Sequence, residues 1–281
     1  MPSPLPVERY GLIAGNGRFP FLVLEAARSR GIPMIVAAIR EETDPAIGES
    51  GVPVHWLSLG QLGKLIEIFH RAGIRRAIMA GQVKHKQIFS GIRPDWRLLK
   101  VLGSLAVKNT DSLIGAVARV LSDEGIELES STQFLAPLLA GAGTLTRRAA
   151  DAREQADIAY GLRIARHLAA VDVGQSVVVA EGACVAVEAM EGTDAILRRA
   201  AGLARGRPLT LVKVAKPNQD LRFDVPVVGP QTIATMRECH ATALAVEAGL
   251  TLLLDREALL AAADAAAIAI TGVDRAPQEA S

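Results

Sequence analysis

Residues 216–230, KPNQDLRFDVPVVGP, form the densest run of chemically active side chains in the chain. Two carboxylates, Asp220 and Asp224, stand four residues apart, with Lys216, Asn218 and Gln219 beside them. Oxygen donors on irregular backbone suit Mg²⁺, which takes one or two carboxylates and completes its shell with water and substrate phosphate oxygens. The same carboxylates serve equally to orient or deprotonate an attacking water. A third reading needs no chemistry: they close turns in a rigid surface loop. Pro217, Pro226 and Pro230 restrict the backbone, which lowers the ordering cost of a well-defined site.

Three further constellations accompany this loop. GLIAGNGRFP places Gly15, Asn16 and Gly17 between a strand and a helix start, where backbone N–H groups meet a phosphate or simply make a tight turn. The dinucleotide fingerprint asks for a third glycine where Pro20 stands, so that match is incomplete. AGQVKHKQIF leaves a later strand with Gln82, Lys84, His85 and Lys86, either a phosphate-facing loop or a solvated basic one. EGACVAVEAMEGTDAIL sets Glu181 at a turn, and Thr193 or Asp194 at a helix start, where capping and anion binding are compatible roles. Other chemistries find no support. The five histidines are scattered without an i, i+4 pair, Cys239 and His240 are adjacent and diverge on a helix, and no G-x-S-x-G elbow occurs.

The elements that must position these residues alternate. YGLIAG, PMIVAAI, PVHWLSL and RRAIMAG read as strands, with helices over GRFPFLVLEAARSRG and GQLGKLIEIFHRAG between them. Alternation of this kind predicts a parallel sheet wrapped by helices. A helix follows over DSLIGAVARVLSDEG. Pro137, Gly141 and Gly143 then mark a junction, giving an N-terminal Rossmann-like domain over 1–132, a flexible linker over 133–145 and a C-terminal α/β mixed-sheet domain over 146–281. There, DAREQADIAYGLRIARHLAAVD is a long amphipathic helix, QSVVVAEGACVAVEAM a strand pair turning at Glu181 and Gly182, and TDAILRRAAGLA a helix. LTLVKVA is a strand feeding the Asp224 loop, TIATMRECHATALAVEAGL a helix-like run, and LTLLLDREALLAAADAAAIAITG a strand followed by a buried helix.

Composition narrows the class. At 281 residues and 50% hydrophobic content the chain can bury real cores, built from aliphatic residues because aromatics are only 4%. A net charge of +1 without basic blocks argues against nucleic acid. Two distant cysteines fit a reducing compartment. The N-terminus lacks the layout of a signal peptide, and no window reaches the apolar length of a spanning helix, so a soluble, cytoplasmic chain is expected.

GLIAGNGRFP, AGQVKHK, DSLIGAVARVLSDEGIELESSTQFL, EGACVAVEAMEGTDAIL and KPNQDLRFDVPVVGPQTI occur in that order in the LpxI-type UDP-2,3-diacylglucosamine pyrophosphatases. The chain resembles that family over residues 10–272. The resemblance implies Mg²⁺-dependent hydrolysis of UDP-2,3-diacylglucosamine to UMP and 2,3-diacylglucosamine 1-phosphate (lipid X) in lipid A biosynthesis, with attack at the sugar-side phosphorus. It implies two domains with the lipid substrate held between them, and an essential aspartate that maps to Asp224. Asp220 is expected as its companion in catalysis and metal binding. Gly15, Asn16, Gly17, Gln82, Lys84, Glu181, Thr193, Lys216 and Gln219 are expected to bind substrate. A diacyl substrate further implies transient contact with the inner-membrane surface, and a homo-oligomer is left open. The competing reading is a non-catalytic nucleotide- or lipid-binding module, which has no need of the carboxylate loop. An NAD-dependent oxidoreductase is disfavoured by Pro20, and by Glu41 and Glu42 lying beyond the usual acidic position.

Overall fold

A computed structural model describes residues 8–83, 94–104, 110–217 and 219–275. The chain divides into two compact domains between Leu135 and Ala136, and residues 221–223 return to the first. This division falls inside the stretch expected to join the domains, while residues 143–144 of that stretch are built into the second domain's sheet.

In the first domain β1 (Tyr10–Ala14), β2 (Met34–Ile39), β3 (Val54–Leu57), β4 (Arg76–Ala80) and β5 (Glu127–Glu129) form one parallel sheet in the order β3-β2-β1-β4-β5. Every residue of β1 and β2 is buried, as the continuous apolar runs of a sheet covered on both faces require. Helices α1 (Phe19–Ser29) and α2 (Leu62–Arg71) make crossovers, and Pro20 sits in the first turn of α1, where no intrahelical N–H is needed. Two elements escape the sequence reading. One is helix α3 (Trp96–Ser104), which buries Leu98 and Val101 in the core but leaves Trp96 and Leu99 exposed. The other is β5, whose three residues are too few to show a period. Helix α4 (Thr110–Asp123) completes the core through Leu113, Ala116 and Leu121. The strand order reverses between β1 and β4, which makes the carboxyl ends of those two strands the topological switch point of the sheet.

The second domain carries the expected mixed sheet. It runs β6 (Gly143–Thr144), β13 (Ala269–Val273), β11 (Ala241–Glu247), β9 (Leu209–Lys213), β7 (Ser176–Ala180) and β8 (Ala183–Val187) across its width. The central strands β13, β11 and β9 are parallel; β7 opposes β9, β8 opposes β7, and β6 opposes β13. Helix α5 (Ala152–Ala170) covers one face over Val177, Val179, Val212 and Ala243. Helices α6 (Thr193–Ala204), α7 (Pro230–Glu238) and α8 (Arg256–Ala265) cover the other, around Leu209, Leu211, Leu244 and Ile270. A two-strand parallel pair, β10 (Val227–Val228) with β12 (Leu252–Leu253), ties the end of the Asp224 loop to that second face.

Two sequence expectations are corrected here. TIATMRECHATALAVEAGL is not one helix: α7 stops at Glu238, His240 turns the chain at φ +55°, and β11 follows. The final apolar segment ends in β13, which the expected strand–helix pair omitted. Short buried apolar runs carry no period that separates helix from strand. Both cysteines are free, and burial raises each thiol above its ordinary range. Among the described residues no helix is long and apolar enough to cross a membrane.

Candidate active site

At the first domain's switch point the loops after β1 and β4 press together. Asn16 N–H donates to Gln82 O at 2.8 Å and Gln82 N–H returns to Asn16 O at 3.2 Å, while Gly15 N–H donates to Ala80 O at 2.8 Å. A Cβ on Gly15 would stand 2.8 Å from Gln82 O, and one on Gly81 would stand 2.6 Å from Asn16 O. Those glycines therefore permit backbone contact. The backbone amides of Asn16 and Gln82 are engaged in it, whereas the sequence reading offered this turn's amides to a phosphate. Gly17, at φ +89° with open space around its Cα, turns the chain into α1. Arg18, at the N-cap of that helix, provides no side-chain cap. Glu42, 7% exposed, brings Oε2 to 3.5 Å from Asn16 Nδ2, so an acidic group does stand by this loop despite its spacing in sequence. Lys84, with His85 and Lys86, lies outside the described residues.

The Asp224 loop leaves the carboxyl end of β9. Gln219 braces it, its Oε1 accepting from Lys216 N–H at 2.6 Å and its Nε2 donating to Asp224 O at 2.9 Å. Asp224 N–H donates to Asp220 O at 2.9 Å, closing one turn between the two aspartates. Gln219 was expected to bind substrate; the structure uses both ends of its amide to hold the loop. The Asp224 carboxylate is one-third exposed and lies 3.8 Å from Lys216 Nζ. Lys216 Nζ also pairs with Asp172 Oδ1 at 2.7 Å, and Arg275 Nη2 donates to Lys216 O at 2.9 Å. The buried Glu247, at the end of β11, accepts from Ala215 N–H at 3.0 Å and pairs with Arg166 at 3.2 Å, fixing the loop's root.

Helices α6 and α7 both start on this carboxyl edge, at Gly192 and Gly229, and neither N-cap supplies a side-chain hydrogen bond. Unsatisfied N–H groups and the helix dipole favour negative charge there. Thr193 is thus not the N-cap that the sequence suggested: it is the first helical residue, and its hydroxyl meets Lys213 Nζ at 2.8 Å and Glu188 Oε1 at 3.1 Å. Glu181 stands at the opposite end of the sheet. It and Gly182 form the two-residue turn of the β7–β8 hairpin with φ +50° and +75°, the handedness that matches strand twist. Asp157 Oδ1 accepts from Gly182 N–H at 2.7 Å, and Glu181 itself reaches Arg207 at 3.7 Å. Asp224, Asp220, Lys216 and Gln219 are brought together; Glu181 is not brought to them. Lys213, Asp172 and Glu188 join this edge without having been singled out in the sequence. The one available signal was a lysine closing the otherwise apolar strand LTLVK.

The donor set fits a hard divalent cation held in part by substrate. Among the described residues no group of three or more His, Cys, Asp or Glu gathers into a closed cage. One or two aspartates with open positions is the habit of Mg²⁺ bound alongside phosphate.

The family models for the LpxI N-terminal domain and the LpxI C-terminal domain match residues 9–138 and 141–271. The chain is 35% identical to a Caulobacter vibrioides protein named UDP-2,3-diacylglucosamine pyrophosphatase LpxI, over 97% of this chain and 99% of that one. Among solved structures it is similar to CobK precorrin-6A reductase at 14% identity and a TM-score of 0.32, covering 98% and 90% of the two chains, a likeness too slight to bear on chemistry. Matched through both of its domains, and nearly end to end with a relative of that name, the chain belongs to the LpxI family.

Proposed function

We propose that the chain hydrolyses the pyrophosphate of UDP-2,3-diacylglucosamine, releasing UMP and lipid X in lipid A assembly. Family membership and the name of the Caulobacter relative support the substrate. The observation that carries the chemistry is Asp224, a partly exposed carboxylate on a braced loop, 3.8 Å from Lys216 Nζ, at the carboxyl edge of the sheet where two helices also start without side-chain caps. Anion-favouring groups around a carboxylate suit a site that both holds phosphate and activates water.

Asp224, with Asp220 one turn before it, would hold Mg²⁺, which when bound polarises a phosphoryl oxygen and offsets pyrophosphate charge. The carboxylate of Asp224 also orients the water. Its oxygen forms the new bond to the sugar-side phosphorus, its proton passes to the carboxylate, and the bridging oxygen leaves with UMP. The helix starts face the charge that builds on the non-bridging oxygens. A cytoplasmic enzyme with this substrate meets it at the inner-membrane face, so transient peripheral contact belongs to the same proposal.

The test is hydrolysis of UDP-2,3-diacylglucosamine by the purified full chain in ¹⁸O-water with Mg²⁺. UMP should be released and the label should enter lipid X. Asp224→Asn should lower the rate by about 10²–10⁴. Its melting should hardly change, because a partly exposed pair at 3.8 Å contributes under about 1 kcal/mol. No UMP release with any divalent ion would sink this reading.

A further inference from the structure

The two lysines that flank the start of the Asp224 loop are in different electrostatic states. Lys216 is neutralised, between Asp172 at 2.7 Å and Asp224 at 3.8 Å. Lys213, the last residue of β9, has no carboxylate partner among the described residues. Its Nζ donates to a neutral hydroxyl, Thr193 Oγ1, at 2.8 Å. That hydroxyl stands 3.1 Å from Glu188 Oε1 and 3.2 Å from Ser176 Oγ. The Thr193 hydroxyl donates to Glu188, so its oxygen is left as an acceptor for the ammonium. Glu188 and Ser176 are only 9% and 1% exposed, which fixes the hydroxyl in place.

A lysine ammonium has three donors, and Thr193 accepts one of them. The half-buried Lys213 ammonium meets a neutral hydroxyl directly, with the Glu188 carboxylate one hydrogen bond further on. A structural lysine would gain from a carboxylate, yet the relay keeps Glu188 one atom beyond reach and spends it on orienting Thr193. Lys213 shares the sheet face of Leu209 and Leu211, under α6 and α7, and β10 carries the downstream end of the Asp224 loop to that same face. Two of the three ammonium donors have no partner among the described residues, and an anionic ligand atom would take one of them.

We infer that Lys213 binds a non-bridging oxygen of the substrate's sugar-side phosphate, and that Thr193, held by Glu188, is the residue that positions it. This rests on the hydrolase reading above and adds to it a specific phosphate contact outside the Asp224 loop. The experiment pairs kinetics with binding on the full chain. Lys213→Met should lower kcat/KM for UDP-2,3-diacylglucosamine by about 10²-fold, the scale of a lost hydrogen bond to a charged group. Lys213→Arg should recover most of it, and Thr193→Val should cost about tenfold, because the cation stays but loses its anchor. The discriminating readout is affinity for lipid X against affinity for 2,3-diacylglucosamine without its phosphate. Lys213→Met should weaken only the former. Equal weakening of both ligands, or full affinity for lipid X, would overturn the inference. If the wild-type chain proved unable to hydrolyse the substrate, the hydrolase reading would fall, and the two binding measurements would still decide the role of Lys213.

Discussion

Replacing Gly81 by alanine should open the first domain's switch point, and the size of the effect follows from the backbone there. The new Cβ would stand 2.6 Å from Asn16 O, 2.8 Å from Gly15 C and 3.0 Å from Asn16 N. Ordinary contact needs roughly 3.4 Å or more, so the two loops must separate by several tenths of an ångström. That separation strains the reciprocal pair between Asn16 and Gln82, at 2.8 and 3.2 Å, each bond contributing about 1 kcal/mol. Alanine at φ +93° adds a conformational cost of about 1–3 kcal/mol. Together these give about 3–5 kcal/mol of local destabilisation. Gly17→Ala is the control. Its φ of +89° is as demanding, but nothing lies within 4 Å of its added Cβ, so only the conformational part applies. Hydrogen exchange at the amides of Asn16 and Gln82 measures the difference. Gly81→Ala should lose protection by at least about tenfold more than Gly17→Ala, since 1.4 kcal/mol is a factor of ten. Equal losses in the two variants would refute the claim that these glycines exist for close backbone approach.

The remaining predictions concern the metal and the second domain's ionic network. Exhaustive chelation should abolish hydrolysis and Mg²⁺ should restore it, while Asp224→Asn should weaken Mg²⁺ binding measured by calorimetry with lipid X present; full activity after chelation would remove the metal from the mechanism. For Glu154, burial alone would raise the pKa, but hydrogen bonds from Arg148, Thr242 and the Asp151 backbone, with the charge of Arg148, hold it below the usual carboxylate range. Its folded pKa is depressed, so its stabilisation is complete above about 4.5 and is lost as pH falls through the lower folded value. Urea unfolding of the second domain should accordingly weaken with acid, and Glu154→Gln should flatten that slope by up to about 1.4 kcal/mol per pH unit. An unchanged slope would refute the assignment. Arg148→Met, which leaves a carboxylate only 2% exposed without its bidentate partner, should cost about 3 kcal/mol, read by the same urea titration.

Much of the architecture was legible because the signals were local and strong. Unbroken apolar runs at Tyr10–Ala14 and Met34–Ile39 can only be satisfied between two layers of helix, and the glycine turn after the first of them implies a parallel crossover. The hairpin at Glu181 and Gly182 was readable from a glycine amid β-branched residues. Where tertiary context decides, the sequence is silent. His240 is the sharpest case: nothing in TMRECHATALAV marks the point at which a helix becomes a central strand. The three residues of β5 carry no usable period, whereas α3 was overlooked although Pro94 and Asp95 mark its start, Asp95 Oδ1 accepting from Leu98 N–H at 2.9 Å.

The site was legible in its chemistry and only partly in its geometry, for a single physical reason. Carboxylates, amides and lysines advertise what they can do by type, but whether they do it depends on which partners satisfy them. Gln219 looked like a substrate ligand, yet its amide is occupied at both ends by the loop that carries Asp224. Thr193 looked like a cap, yet Gly192 takes that position and the hydroxyl turns instead to Lys213 and Glu188. Glu181 looked like a member of the site, yet the antiparallel direction of β7 sends its turn to the other edge of the sheet. In each case the residue type suggested a polar ligand site, and the competition for its hydrogen bonds was decided by the surrounding structure. Lys213 is the converse: an unremarked residue in an apolar strand becomes a candidate ligand because Lys216, Arg166 and Arg275 are each paired with a carboxylate or a carbonyl, while among the described residues it has found only a hydroxyl.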